Sequence, residues 1–119
     1  MPEADFVQEV SKADVLRIVE RDFARDQSVV AGLLERYAAI DSKAARVHLA
    51  ILKLSQGNLD KVREYVEVAK QDWRDVICAA EYPRYWAMGM HAASQIGSNE
   101  REQLQGEDFR DYQAWLAHA

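Results

Sequence analysis

One cysteine, Cys78, in 119 residues excludes an internal disulfide, so the chain is expected to rely on an apolar core in a reducing, cytoplasmic setting. Proline is equally scarce at two residues, with five glycines, and little therefore interrupts long helices. No apolar run approaches the ~20 residues needed to span a membrane. The opening residues Met1 to Val10 contain Glu3, Asp5 and Glu9 and lack the basic-then-apolar order of a secretion signal. Concentrated positive charge is missing too. The chain has 15 basic against 20 acidic residues, a formal charge of −5. Lys53, Lys61, Arg63 and Lys70 are interleaved with Asp60, Glu64 and Glu67. That pattern repels polyphosphate, and nucleic acid is not an expected partner.

The signatures of common chemistries are also missing. There is no Gly-Lys-Ser/Thr, no G-x-S-x-G and no C-x-x-C, so no phosphate loop, nucleophile elbow or thiol pair is encoded. None of His48, His91 and His118 has a Glu three residues earlier, which removes the Glu-x-x-His ligand pair of helical di-metal proteins. No metal and no cofactor are expected.

What is present is helical periodicity. With 49% apolar and 29% charged residues, the chain has the balance of a folded globular protein of one domain. Residues 1–10 are expected to fray, unless Phe6, Val7 and Val10 pack back as a short turn. Ser11 with Asp14 reads as a capping box for a helix over residues 11–25, with Leu16, Val19 and Phe23 on its apolar side. Asp26 or Ser28 can cap a second helix striped by Val30, Leu33, Leu34 and Tyr37. Gly32 inside it costs about 1 kcal/mol in helix propensity, and close approach by a neighbour is the expected compensation. Asp41 or Ser42 caps a third helix that is apolar nearly all round, from Ala44 to Leu54, and so should be the most buried. Gly57 suits the left-handed position that ends it, and Asn58 caps the next. So short a connection predicts an antiparallel hairpin of about residues 42–56 and 58–81.

The fourth helix has the cleanest stripe: Leu59, Val62, Val66, Ala69, Trp73, Val76 and Ala80 step by threes and fours. Pro83 should stop it near Glu81. Residues 85–97 read as a fifth helix, residues 98–106 as a polar loop, and Phe109, Tyr112, Trp115 and Leu116 as a last amphipathic helix. That helix is expected to dock on its own domain or to form a homodimer. The expected fold is all-α, a five- to six-helix antiparallel bundle.

Two resemblances follow from these residues. Leu49 and Ala50, the Gln56-Gly57-Asn58 turn, and Val62, Val66 and Ala69 resemble a single tetratricopeptide-like hairpin, although Val62 replaces a small residue. No second copy recurs at the 34-residue period that an array requires. More of the chain is similar to a family of short, uncharacterised bacterial helical proteins. The similarity rests on Arg46 to Leu54, Gly57-Asn58-Leu59, Asp72 to Val76 and Ala80-Glu81-Tyr82-Pro83. It implies a bacterial, cytoplasmic helical protein and carries over no activity.

Two site readings stand side by side. Tyr82-Pro83-Arg84-Tyr85-Trp86, continued by Met88 and Met90, has the Tyr, Trp and Arg composition of binding hot spots; the plain reading of the same residues is packing of the fifth helix. On the first view the chain is a non-enzymatic protein-interaction protein: an adaptor, a regulator or an immunity-type partner. Tyr82, Arg84, Tyr85 and Trp86 would be its anchors, and its acidic balance would suit a basic partner. The alternative is a small enzyme or ligand binder with a polar pocket between helices lined by Arg46, His48, Asp72 and Asp75. Solvated acids and structural ion pairs are the plain reading of those. Cys78 with His91 could pair as nucleophile and base, but lacks a third member and reads as an ordinary packed thiol.

Overall fold

The computed structural model describes residues 10–37 and 44–118, with side chains throughout except at 89–94. Six α-helices and no strand occur among the described residues: α1 (Lys12–Asp22), α2 (Gln27–Glu35), α3 (Ala44–Ser55), α4 (Leu59–Glu81), α5 (Pro83–Gln95) and α6 (Ser98–Ala117). The chain is an all-α helical bundle. Among the described residues no helix is long and apolar enough to cross a membrane. The caps expected at Asp41 and Ser42, the pair Phe6 and Val7, and the side chains of Met90 and His91 lie outside the described residues.

α1 begins where its first amides find acceptors. The Asp14 carboxylate takes the Ser11 N–H at 2.9 Å and the Ser11 hydroxyl at 3.3 Å, the reciprocal half of a capping box. Its buried face is Val15, Ile18 and Val19, with Phe23 following. Leu16, expected on that face, is 57% exposed, because a face centred on residue 15 leaves residue 16 about 100° round the helix. α2 buries Val30, Leu33 and Leu34 as the spacing predicts. Gly32 corrects its expectation. A Cβ built there meets nothing within 4 Å, so no neighbouring helix requires the glycine. Gly32→Ala is therefore expected to stabilise the fold by about 0.5–1 kcal/mol. A urea melt should show a higher midpoint with unchanged slope, and a lower midpoint would show that the site is closed in solution.

α3 and α4 form the predicted hairpin and make the most extensive helix pair, with α1 laid on α3 and α2 on α4. Val47, Leu49, Ala50, Ile51 and Leu52 are fully buried, consistent with the all-round apolar pattern of α3. Gly57 takes φ +76°, and Gln56 before it is also left-handed at φ +50°. The Asn58 side-chain oxygen accepts the Lys61 N–H at 3.2 Å and starts α4. Val62, Val66, Ala69, Val76, Ile77 and Ala80 then carry the core along α4. The helix is not continuous. Asp72 is extended (φ −152°, ψ 95°), and its carboxylate accepts the Arg74 N–H at 3.0 Å. Asp72 thus acts as an internal N-cap that restarts the helix.

Pro83 supplies the first residue of α5, where a missing N–H costs nothing. The loop expected at residues 98–106 is instead the start of α6. Gly97 is the extended residue before it, Glu100 sits in its first turn, and Gln103 donates to Glu107 one turn on, at 3.3 Å. Acids near a helix N-terminus and straight-chain side chains favour helix, so polarity alone did not make this a loop. The buried face of α6 is itself polar, carrying Gln105 and Asp108 beside Tyr112 and Leu116. Tyr112 and Leu116 are spent in the core of their own chain. Arg21 of α1 donates to the Trp115 and His118 carbonyls at 2.6 and 2.7 Å, closing the C-terminus of α6 with a cation where the helix dipole favours one.

Candidate functional site

The first turn of α5 is held by another helix. Tyr82, its N-cap, makes no side-chain capping bond, and Pro83 has no N–H. The next two amides, Arg84 and Tyr85, each donate at 3.4 Å to the two oxygens of Asp108 on α6. Asp108 is 1% exposed and also receives Arg84 Nη1 at 2.8 Å. The same guanidinium reaches Asp111 at 2.6 Å and Glu107 at 3.5 Å, and the hydrogen bonds to Asp108 and Asp111 raise the Arg84 pKa. Beside this anchor Tyr85 is half-buried and Trp86 is 45% exposed.

Tyr82, expected as the fourth anchor of that surface, is an interior residue at 2% exposed. It belongs to an ionic cluster joining α3 to the end of α4. Arg46 donates through Nε and Nη2 to the two oxygens of Glu81, both at 2.8 Å, and through Nη2 to the Tyr82 hydroxyl at 3.0 Å. Glu81 is fully buried. Its hydrogen bond outweighs the cost of desolvating Arg46 and holds the guanidinium more firmly charged than usual. Burial and the Glu81 charge keep the Tyr82 and Tyr112 phenols protonated to well above their ordinary pKa.

The other expected pocket is not assembled. Arg46 and His48 lie roughly 200° apart around α3. Arg46 turns to Glu81, whereas His48 packs edge-on to Tyr37 with Nε2 3.2 Å from the Tyr37 carbonyl. Burial pushes the His48 pKa down, so the ring is neutral at physiological pH. Asp72 and Asp75 are exposed on α4, and Asp72 is committed to the helix restart. The Cys78 thiol is half-buried, and burial raises its pKa, which opposes the thiolate a nucleophile needs.

Concave regions among the described residues occupy other faces. A groove of about 270 Å³ between α1, α2 and α3 is lined by Val15, Val19, Ala31, Leu34, Ala45 and His48 among others. A wider open cleft of about 770 Å³ lies where α1, α3 and α6 end. There Arg21 forks onto Asp22 at 2.8 and 3.3 Å and lies 5.2 Å over the Trp115 ring. Lys53, Gln56, Asp111 and His118 complete its wall.

No family model, curated protein or solved structure matches this chain. The site is therefore read from its own geometry. Sequence reasoning singled out Arg84, Tyr85, Trp86 and Arg46 but missed what fixes them, Asp108 and Glu81. Both leave a trace in the sequence. Glu81 lies four residues after Ile77, on an otherwise apolar stripe, and Asp108 lies four residues before Tyr112, on the same helical face. A charge on a face that must be buried calls for a partner.

Proposed function

We propose that this chain is a protein-interaction module that docks a partner on the first turn of α5, with Trp86 and Tyr85 as its anchors. The observation that carries this reading is a tryptophan 45% exposed on a turn whose backbone is already fixed by Asp108 and Arg84. A large rigid side chain on an ordered backbone loses little entropy on binding, and Trp, Tyr and Arg dominate measured hot spots. The net charge of −5 favours a partner with basic side chains around its apolar contact. The similarity to short bacterial proteins and the single cysteine support a bacterial, cytoplasmic setting for this role.

Trp86→Ala removes a side chain that is 45% exposed and should cost about 1–2 kcal/mol, which leaves the domain folded. Its expected effect is on binding. A protein captured from bacterial lysate by the immobilised wild type should be lost by Trp86→Ala, with affinity lowered roughly 30-fold or more once the pair is purified. Weaker capture in high salt would support a basic partner. A partner that binds Trp86→Ala as tightly as wild type would overturn the assignment.

A further inference from the structure

Lys53 differs from the other described lysines. Lys61 and Lys70 are exposed and paired, to Glu64 at 3.5 Å and Glu67 at 3.2 Å, and Lys12 is exposed at the start of α1. Lys53 is half-buried in the last turn of α3 and lines the 770 Å³ cleft. It makes no hydrogen bond or ion pair among the described residues, because the neighbouring carboxylates are held by arginines. Asp108 and Asp111 bind Arg84 at 2.8 and 2.6 Å, and Asp22 binds Arg21 at 2.8 Å. Burial lowers the Lys53 pKa from its usual value. Asp108 and Asp111 partly oppose that shift, and Arg84 reinforces it. Arg21 and His118 are the other basic groups on the cleft wall.

We propose that Lys53 is a nucleophilic amine that captures small aldehydes or ketones entering this cleft. The Nζ lone pair adds to the carbonyl carbon, forming an N–C bond while the C=O π pair moves to oxygen. That oxygen takes the proton released by nitrogen. The carbinolamine then loses its hydroxyl as water and leaves an imine, so amine and carbonyl give imine and water with no redox change. Asp111, 58% exposed on the same wall, is a carboxylate able to relay the proton that departs with the hydroxyl. Trp115 supplies an aromatic wall for the carbon chain. An amine held partly out of water carries less ammonium at neutral pH and is the better nucleophile.

The test uses the full chain, limiting propanal and cyanoborohydride near pH 7, with sites mapped by peptide mass spectrometry. The expected result is propylation of Lys53 several-fold faster than of Lys12, Lys61 or Lys70, with half-maximal labelling at lower pH than theirs. The chain's α-amino group is an ordinary competitor at this pH and is mapped separately. Without reductant, the adduct should revert on dilution, as an imine does. The preference should disappear in urea. Even labelling of Lys12, Lys53, Lys61 and Lys70, or a preference for Lys53 that survives unfolding, would overturn the proposal.

Discussion

Glu81→Ala is expected to lower folding stability by about 3–5 kcal/mol, the cost of leaving one member of a buried ion pair uncompensated. A single domain has roughly 5–15 kcal/mol in all, so this one carboxylate decides whether the fold is comfortably stable or marginal. In a thermal melt the loss reads as roughly 12–20 °C. The carboxylate is fully buried and accepts both arms of the Arg46 fork at 2.8 Å, so removing it strands a guanidinium that also donates to Tyr82 at 3.0 Å. Arg46→Ala should cost at least as much, about 3–5 kcal/mol, because it strands the fully buried Glu81 carboxylate, whereas the Arg46 side chain left by Glu81→Ala keeps 17% of its surface in water. Arg46→Lys keeps the charge but loses the planar fork and should recover only part of the stability. Arg46→Met/Glu81→Leu separates the contribution of the pair from the cost of breaking it. Apolar side chains of similar volume replace a buried pair at little cost, so the double variant should melt well above either single alanine variant. A Glu81→Ala cost below about 1 kcal/mol would mean that the cluster is hydrated in solution and is not a buried clasp between α3 and α4.

The residues that could be read from the sequence were those whose environment is announced by period and punctuation. Apolar spacing located α3 and α4, and Gly57-Asn58 located the turn between them, because a left-handed glycine and a capping asparagine act over three or four residues. Pro83 placed the end of α4 for the same local reason. Three features lack such an announcement, and two of them depend on contacts between residues distant in the chain. The start of α6 was hidden because its buried face is polar, so no apolar stripe marks it; its partners are α4, α5 and the end of α1. Tyr82 was assigned to the surface because its burial depends on Arg46, 36 residues earlier. The break at Asp72 interrupts no apolar stripe, which continues smoothly on both sides, and the extended Asp72 backbone with its carboxylate on the Arg74 amide reveals it. At the candidate site, residue type pointed to Trp86 and Arg84. Nothing within a few residues of them could show that the supporting carboxylate lies 24 residues away at Asp108.

Asp108→Ala is expected to cost about 2–3 kcal/mol, or roughly 8–12 °C in a thermal melt. This carboxylate is 1% exposed and is the acceptor for the first two available amides of α5. Neither Tyr82 nor Pro83 can replace it, the one because it makes no side-chain cap and the other because its ring carries no acceptor atom. The loss should be local before it is global. Hydrogen exchange at the Arg84 and Tyr85 amides should quicken well beyond the change at α3 amides, because the freed turn opens without unfolding the hairpin. Asp108→Asn keeps the shape and one acceptor oxygen and should cost about 1–2 kcal/mol. Arg84 would remain with Asp111 and Glu107 in either variant, so the side chain stays near its place while the backbone of the turn is released. That separation links the clasp to the proposed function. If a partner reads Trp86 on a preorganised turn, Asp108→Asn should weaken binding although Trp86 itself is untouched, chiefly through slower productive docking and faster dissociation. Unchanged exchange at Arg84 and Tyr85 in Asp108→Ala would show that α6 does not cap α5. Quickened exchange with unchanged binding would show that the partner orders the turn for itself.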